Sequence, residues 1–410
     1  MAIARRTVGV MAAASGICVA NIYYCQPLLS EIGRSLGVSE RAIGYLPMWT
    51  QAGTALGMFT FVPLGDMFPR RKLIVIMSVF SGLTVAMMAI APNLALLNAA
   101  GFATGFTGIV MHLILPFAAK LAPAERRGHV VGTVLSGLLL GILLARVVSG
   151  FVGDLLGWRA MYWIAAGAML TLALALRYSL PYDRPEPGLR YRELVRSIVD
   201  LALTQPILRE TAIIGGLLFG AFSSFWATLV FFLGTPPYHY GPRVAGTFGV
   251  VGAVGVLFAP WAGKLTDRKG PAFTITLAIL ISIASYVVFD AAGYGVWGLV
   301  AGVILLDLGV QAGHVANQTR IYALIPEARS RLNTVYMVTY FIGGSLGSAL
   351  GAYGWTHWRW NGVCAAGATQ LLVALGVRGW MHFQGAQARA AAKEAFIAQA
   401  ARQCTVSRKS

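Results

Sequence analysis

Two charged side chains stand inside long apolar runs. Asp307 lies near the middle of VILLDLGVQAG, and Arg146 lies past the middle of LLLGILLARVVSG. Insertion scales put a central charge at about 2.5–3.5 kcal/mol, so each needs a reason. A carboxylate in an apolar interior can exchange a proton, hold a cationic ligand group, or pair within a helix bundle. Arg146 can neutralise Asp307, contact an anion, tie helices together, or snorkel to an interface. His112 and His314 lie in two further apolar runs and suit proton relay, since imidazole titrates near neutrality. A hydrogen-bonded structural role is the plainer reading for both histidines. Asp307, His112 and His314 are the proton-coupling candidates.

Polar and aromatic residues accompany them. Asn21, Tyr23, Tyr24 and Gln26 cluster in one run, and Gln51, Ser223, Trp226, Gln311 and Asn317 are spread over others. Such groups line pockets or glue membrane helices to one another. Asn21, Tyr24, Gln26, Arg146, Trp226 and Gln311 are the candidates for ligand binding. Phe219, Phe222, Phe225 and Trp226 fall at near-helical spacing, which suits an apolar wall or ordinary packing. No GxxxxGK[ST] or HExxH set occurs, which leaves nucleotide-driven chemistry and metal hydrolysis unsupported. Cys18, Cys25, Cys364 and Cys404 have no zinc spacing and read as small apolar fillers. No metal, cofactor or catalytic set is expected.

The elements that must position these groups follow from composition. The 410 residues are 57% hydrophobic and only 11% charged, with mean hydropathy +0.69. Soluble proteins carry about 25% charge. The apolar runs are continuous, which favours helices over an alternating barrel. Spans are predicted at 8–29, 42–64, 73–92, 94–119, 130–154, 160–180, 211–233, 244–262, 272–291, 295–316, 333–354 and 361–380. Arg5 and Arg6 precede a run that continues into the first span, so no cleavable signal peptide is expected.

The net charge of +17 suggests nucleic acid, but its placement argues for a membrane facing anionic lipid. Of the Lys and Arg, only Arg34, Arg41, Arg159, Arg243 and Arg359 fall in the predicted outer segments, and Arg146 falls within a span. The rest fall in the segments on one side. The positive-inside rule then places both termini in the cytoplasm, with the chain crossing the membrane many times. The segment 181–210 is the one long connection. Leu194, Val195, Ile198 and Leu201 stand at helical spacing there, which predicts an amphipathic helix on the cytoplasmic face. After 381 the tail turns Ala-rich, and a short cytoplasmic helix with a loose end is expected.

An internal repeat organises the chain. Leu64-Gly65-Asp66 recurs as Leu265-Thr266-Asp267, Gly132-Thr133-Val134 as Asn333-Thr334-Val335, and Gly157-Trp158-Arg159 as His357-Trp358-Arg359. The offset is about 200 residues each time, and each pair falls at the same place in its half. The predicted architecture is an all-α membrane protein, twelve transmembrane helices in two pseudo-symmetric six-helix halves. The divisions are 1–180, a connection 181–210, 211–380 and a tail 381–410.

Gly263-Lys264-Leu265-Thr266-Asp267-Arg268-Lys269-Gly270 resembles the loop signature G-x-L-x-D-R-x-G of the major facilitator superfamily. The first-half copy, Val62 to Lys72, is similar but lacks both glycines and the first Arg. The resemblance implies a transporter of the major facilitator fold. It also implies a cytoplasmic gate from Asp66, Arg70, Arg71, Asp267, Arg268 and Arg331, in which Asp66 and Arg70 clasp the start of span 11. A topology-setting basic turn is the plainer alternative. The fifth span resembles the G-x8-G-x3-G-P-x2-G-G pattern of drug/proton antiporters through Gly132, Gly141 and Gly150. Ala145-Arg146 replaces its Gly-Pro, and the Arg expected on span 4 is absent, with Gly101 near its place. Gly137, Gly141, Gly343, Gly347 and Gly351 make small-residue faces for close helix approach.

The function expected is secondary transport of small organic molecules by alternating access, coupled to protons and directed outward. Import of an organic anion is the alternative that Arg146 favours. The expected partners are a small-molecule substrate, protons and membrane lipid, with no nucleic acid, and the chain is expected to act as a monomer. A membrane enzyme would need clustered His or acids at one interface. A sensor would be expected to carry a sizeable soluble domain.

Overall fold

The computed structural model describes residues 5–183 and 190–407. Side chains at 66, 124, 253–256, 259, 326, 382, 385–386 and 388–407 lie outside the described set. The first half comprises α1 (Arg5–Tyr23), α2 (Cys25–Leu36), α3 (Glu40–Ile43), α4 (Leu46–Phe61), α5 (Arg70–Ile90), α6 (Leu94–Thr107), α7 (Val110–Leu121), α8 (Arg127–Leu156) and α9 (Trp158–Ser179). The connection holds α10 (Tyr191–Thr204). The second half comprises α11 (Pro206–Leu233), α12 (Pro242–Leu257), α13 (Ala259–Lys269), α14 (Pro271–Ala292), α15 (Val296–Tyr322) and α16 (Arg329–Ser407).

Among the described residues nine helices are long and apolar enough to cross a membrane. α4 and α12, at 16 residues each, fall short of a full pass by themselves. α16 doubles back at Arg359, where φ is 52°, so one assigned helix contains two passes. Gly354 and Gly362 face each other across that reversal, and a methyl on either would strike the other's backbone. α4, α12 and the second limb of α16 stand where the remaining predicted spans fall in sequence.

Several predicted spans are broken helices. The first bends at Tyr24 between α1 and α2, and the fourth is α6 and α7 joined at Gly108 and Ile109. The eighth runs as α12 followed by α13. Helix ends obey local chemistry. Asn93 caps α6 by accepting the Leu96 N–H at 2.9 Å, and Ser39 accepts that of Ala42 at 3.3 Å. Gly157 turns α8 into α9 at φ +83°, a conformation that costs glycine little.

Each half is knit by glycine seams. In the first, Gly137 and Gly141 of α8 meet Ala12 and Gly16 of α1 backbone to backbone. In the second, Gly343 and Gly347 of α16 meet Gly216 and Gly220 of α11 the same way. Large apolar side chains cover the outer surface, among them Leu174, Val287 and Leu372, while Trp297, Trp358 and Trp380 stand exposed near span ends. That surface suits lipid, with tryptophans at the interfaces.

Thr7 Oγ1 donates to the Ser179 carbonyl at 3.3 Å, so the chain start lies at the end of the bundle that carries 181–210. We call this the connection end and its opposite the far end. The halves meet at the far end. Gly150 of α8 packs on Pro242 and Gly246 of α12, and Gly44 packs on Ala352. Toward the connection end the flanks of α8 and α13 are open. A methyl on Gly128, Gly132 or Gly263 would meet nothing within 4 Å, and Leu135, Leu140 and Leu144 are exposed. The halves thus touch at the far end, while these helix flanks lie open toward the connection end.

The predicted amphipathic helix is α10, with Leu194 and Ile198 buried. Glu193 accepts the Arg190 N–H at 2.9 Å and fixes its start. The expected loose tail is assigned as a continuation of α16 through Ser407. Residues 184–189 of the connection, including Arg184, Pro185 and Pro187, lie outside the described residues.

Candidate functional site

Arg146 is the centre of the site. α8 carries it into the interface between the halves, where it is 3% exposed. Its Nε donates to Gln26 Oε1 at 2.9 Å. Its Cζ lies 3.9 Å from the Trp226 ring centroid, 5.0 Å from Tyr23 and 5.5 Å from Phe222. Three aromatic faces from α1 and α11 thus surround one guanidinium, a geometry that stabilises a desolvated cation. Nη2 is buried and has no hydrogen-bond partner.

Asp307 stands on α15 at 4% exposure. Its Oδ2 is also buried with no partner at full hydrogen-bond distance, and Trp226 Nε1 lies beside the carboxylate. Gly252 of α12 explains how they come together. A methyl there would lie 3.1 Å from Asp307 Oδ1 and 3.2 Å from Trp226 Cζ2, so the bare backbone makes room for the carboxylate and the indole edge. Asp307 and Arg146 are close enough to act on each other electrostatically. No ion pair within 4 Å joins them among the described residues. Two opposite charges therefore share a buried place, one from each half, with one atom of each left unsatisfied. Such an arrangement is costly by itself.

A second group lies toward the connection end. His314 Nδ1 is 3.1 Å from the Tyr336 hydroxyl, and its ring centroid is 5.0 Å from that of Tyr340. His112, from the other half, sets its ring edge-on to Phe341 at 6.0 Å, and its Nε2 is buried without a partner. Phe219 stacks on Tyr340 at 4.1 Å. The two histidines thus face one aromatic cluster across the halves. Asn317 is fully buried and lies beside the Tyr336 hydroxyl.

The other predicted residues divide. Gln26 joins Arg146 directly. Asn21 is buried with both amide atoms unpartnered. Tyr24 is buried at the α1–α2 break, and its neighbour Tyr23 is the one whose ring lies against Arg146. Gln311 is half-buried one turn along α15 from Asp307. Gln51 is spent joining the halves: its Nε2 donates to Ser348 at 2.9 Å and its Oε1 accepts from Ser223 at 3.2 Å.

The predicted gate residues lie at the connection end. The Asp66 side chain is outside the described residues. Arg70 Nε donates to the Gly65 carbonyl at 3.0 Å. Arg71 reaches the Arg177 carbonyl and Asp183. Asp267 and Arg268 are exposed, with no ion pair among the described residues. Arg331 donates to Ser197 of α10.

Two arrangements had no sequence signal. At the far end Glu40 Oε2 accepts from Trp355 Nε1 at 2.8 Å and from Arg359 Nη1 at 3.0 Å. At the connection end buried Glu210 pairs with Arg320 at 2.7 Å and with Arg378 at 2.9 Å. Both involve residues that sequence places in loops or at span ends, far apart in the chain.

A polytopic helical bundle with charged groups enclosed between two halves has the build of a membrane transporter. The chain belongs to the Major Facilitator Superfamily, whose family model matches residues 11–348. It is 41% identical over 365 residues to the uncharacterized transporter YgaY of Escherichia coli O157:H7, covering 89% of this chain and 93% of that one. A transporter of Streptomyces coelicolor is 34% identical over 375 residues, covering 91% and 86%. A chloramphenicol efflux pump of Mycobacterium tuberculosis is 24% identical over 352 residues, covering 82% and 83%. Among solved structures, the nucleoside transporter NupG superposes with a TM-score of 0.74 at 15% identity, covering 92% of this chain and 99% of that one. A bacterial homolog of the human lysosomal transporter Spinster, inward-facing and unoccupied, gives 0.68 at 14% identity, covering 92% and 94%. These likenesses establish the fold.

Proposed function

We propose that this chain exports a small organic molecule from a bacterial cell in exchange for protons, by alternating access. The observation that carries the reading is the unpaired Asp307, buried beside Arg146 between the halves. A carboxylate there can take a proton from one side and release it to the other. The connection end is read as cytoplasmic, with both termini there and the inner membrane as the site. In this orientation the open flanks of the connection end face the cytoplasm and the Glu40 contacts close the outer side. The two six-helix halves, 1–180 and 211–380, rock about the Arg146–Asp307 level. Asp66, Arg70, Arg71, Asp267, Arg268 and Arg331 would close the cytoplasmic mouth in the opposite state. On this reading His112 and His314 pass protons toward Asp307, and Asn21, Tyr24, Gln26, Trp226 and Gln311 line the path. The chain works as a monomer.

The distant likeness to a chloramphenicol efflux pump supports the outward direction. Inward transport of an organic anion is favoured by Arg146 and by the loss of the Gly-Pro pair at 145–146. Proteoliposomes with an imposed pH gradient decide between them. Substrate moving against the proton gradient is the expected result, and movement with it means import. Asp307→Asn is expected to abolish gradient-driven transport. Full driven transport by that variant overturns the proton role.

A further inference from the structure

The site holds two poles, and we infer that the substrate is a small zwitterion: a carboxylate for Arg146, an amine for Asp307, and an apolar or aromatic body between. The inference rests on the proposed transport role and specifies what is carried.

Two buried charged groups keep an unpartnered atom here, Arg146 Nη2 and Asp307 Oδ2, and Trp226 Nε1 lies at the edge of the carboxylate. They come from both halves and meet around one indole. The guanidinium lies over the face of that indole at 3.9 Å, and the carboxylate approaches its edge over Gly252. Arg146 is already held in place by Gln26 on Nε and by aromatic faces on its sides. Its Nη edge is what remains, and that edge suits a carboxylate. Asp307 accepts, so its open oxygen suits a donor, and an ammonium is the strongest.

Charge decides against simpler ligands. A lone cation is repelled by Arg146, and a lone anion by Asp307. A molecule with both charges satisfies both groups at once and leaves the enclosed site with no net change of charge. Tyr23, Phe222 and Trp226 supply the apolar surface for its body. Because the poles belong to different halves, the ligand would bridge them, and its presence would favour closure of the mouth.

The test uses matched triads that share one body and differ only in charge. Phenylalanine, phenethylamine and 3-phenylpropionate form one. Tryptophan, tryptamine and indole-3-propionate form a second, and leucine, isopentylamine and 4-methylpentanoate a third. Binding to the purified full-length chain is measured by calorimetry at constant pH. The expected result is at least tenfold tighter binding of the zwitterion in one triad or more. Arg146→Gln is expected to erase the preference over the amine, and Asp307→Asn the preference over the acid. Trp226→Phe keeps an aromatic face, removes Nε1, and weakens the zwitterion several-fold. A folded elution profile is required of each variant, and Arg146→Lys, which keeps the charge, serves where Arg146→Gln fails to fold. Equal binding of a singly charged analogue, or no binding by any triad member, overturns the inference.

The two readings fail separately. A zwitterion that binds through both poles but is not moved by a pH gradient overturns proton coupling and leaves the substrate class standing. Gradient-driven flux of singly charged compounds, with no preference for paired charges, does the reverse.

Discussion

Glu40 and Arg359 join the two halves at the far end, with Oε2 and Nη1 3.0 Å apart. Arg359 sits at the reversal of α16 with φ 52°, a backbone region a non-glycine residue enters at a cost. Trp355 Nε1 donates to the same carboxylate oxygen. The ion pair itself is well exposed, with side-chain accessibilities of 67% and 48%, so it contributes at most about 1 kcal/mol. The indole bond to a charged acceptor adds about 1.5–3 kcal/mol.

Glu40→Gln is therefore expected to open the far end more often, by about tenfold or somewhat less, since about 1.4 kcal/mol is a factor of ten. Labelling of a cysteine placed beside Ala352, on a background without the native cysteines, reads that opening. Unchanged labelling would show that the Gly44 and Gln51 contacts alone hold the closed end.

The glycine seams should tolerate no side chain. Gly347→Val forces a branched group into the Gly220 backbone and is expected to cost about 3 kcal/mol or more. Gly132→Ala, on the same kind of helix but facing open space, should be neutral or slightly stabilising. Thermal unfolding in detergent compares the two directly.

Glu210 is a buried carboxylate between two arginines from α15 and α16. Glu210→Gln leaves Arg320 and Arg378 facing each other without a counter-charge. The expected loss is about 3–5 kcal/mol, the range for breaking a buried pair from one side. A melting temperature within a degree of the parent would contradict it.

Glu31 lies beyond the first span and accepts the Trp158 N–H at 3.0 Å. Burial pushes its carboxyl above the ordinary range, and the Trp158 bond and Arg34 offset only part of this. The folded chain then holds this proton more tightly than the unfolded one, so the group favours folding at low pH and loses that advantage as pH rises through its folded value. Glu31→Gln mimics the protonated form and keeps an acceptor for Trp158. It is expected to stabilise the chain at neutral pH and to have no effect in acid, as a pH series of thermal melts will reveal.

Much of this was readable in the chain itself. Apolar runs mark membrane passes because lipid leaves no alternative to satisfying the backbone internally. Arg146 and Asp307 stood out because charge in such runs is rare. Their relationship did not stand out, since nothing in local sequence tells whether two helices bring their charges near one another. Tyr23 and Tyr24 illustrate a finer limit. They are adjacent at a helix break, where helical phase is lost, and only the fold decides which ring meets Arg146. Glu40, Glu210 and Arg359 carried no signal because charged residues at helix ends are ordinary, and their partners come from distant segments.

The connection helix α10 has a mechanical consequence. Its Tyr191 hydroxyl donates to the Thr60 carbonyl of the first half at 3.2 Å, and its Ser197 receives Arg331 of the second. One short strut is thus pinned to both jaws at the connection end. Separating the halves further at this end would break one of these two bonds. A segment read from sequence as an amphipathic surface helix is thus a tie between the two halves.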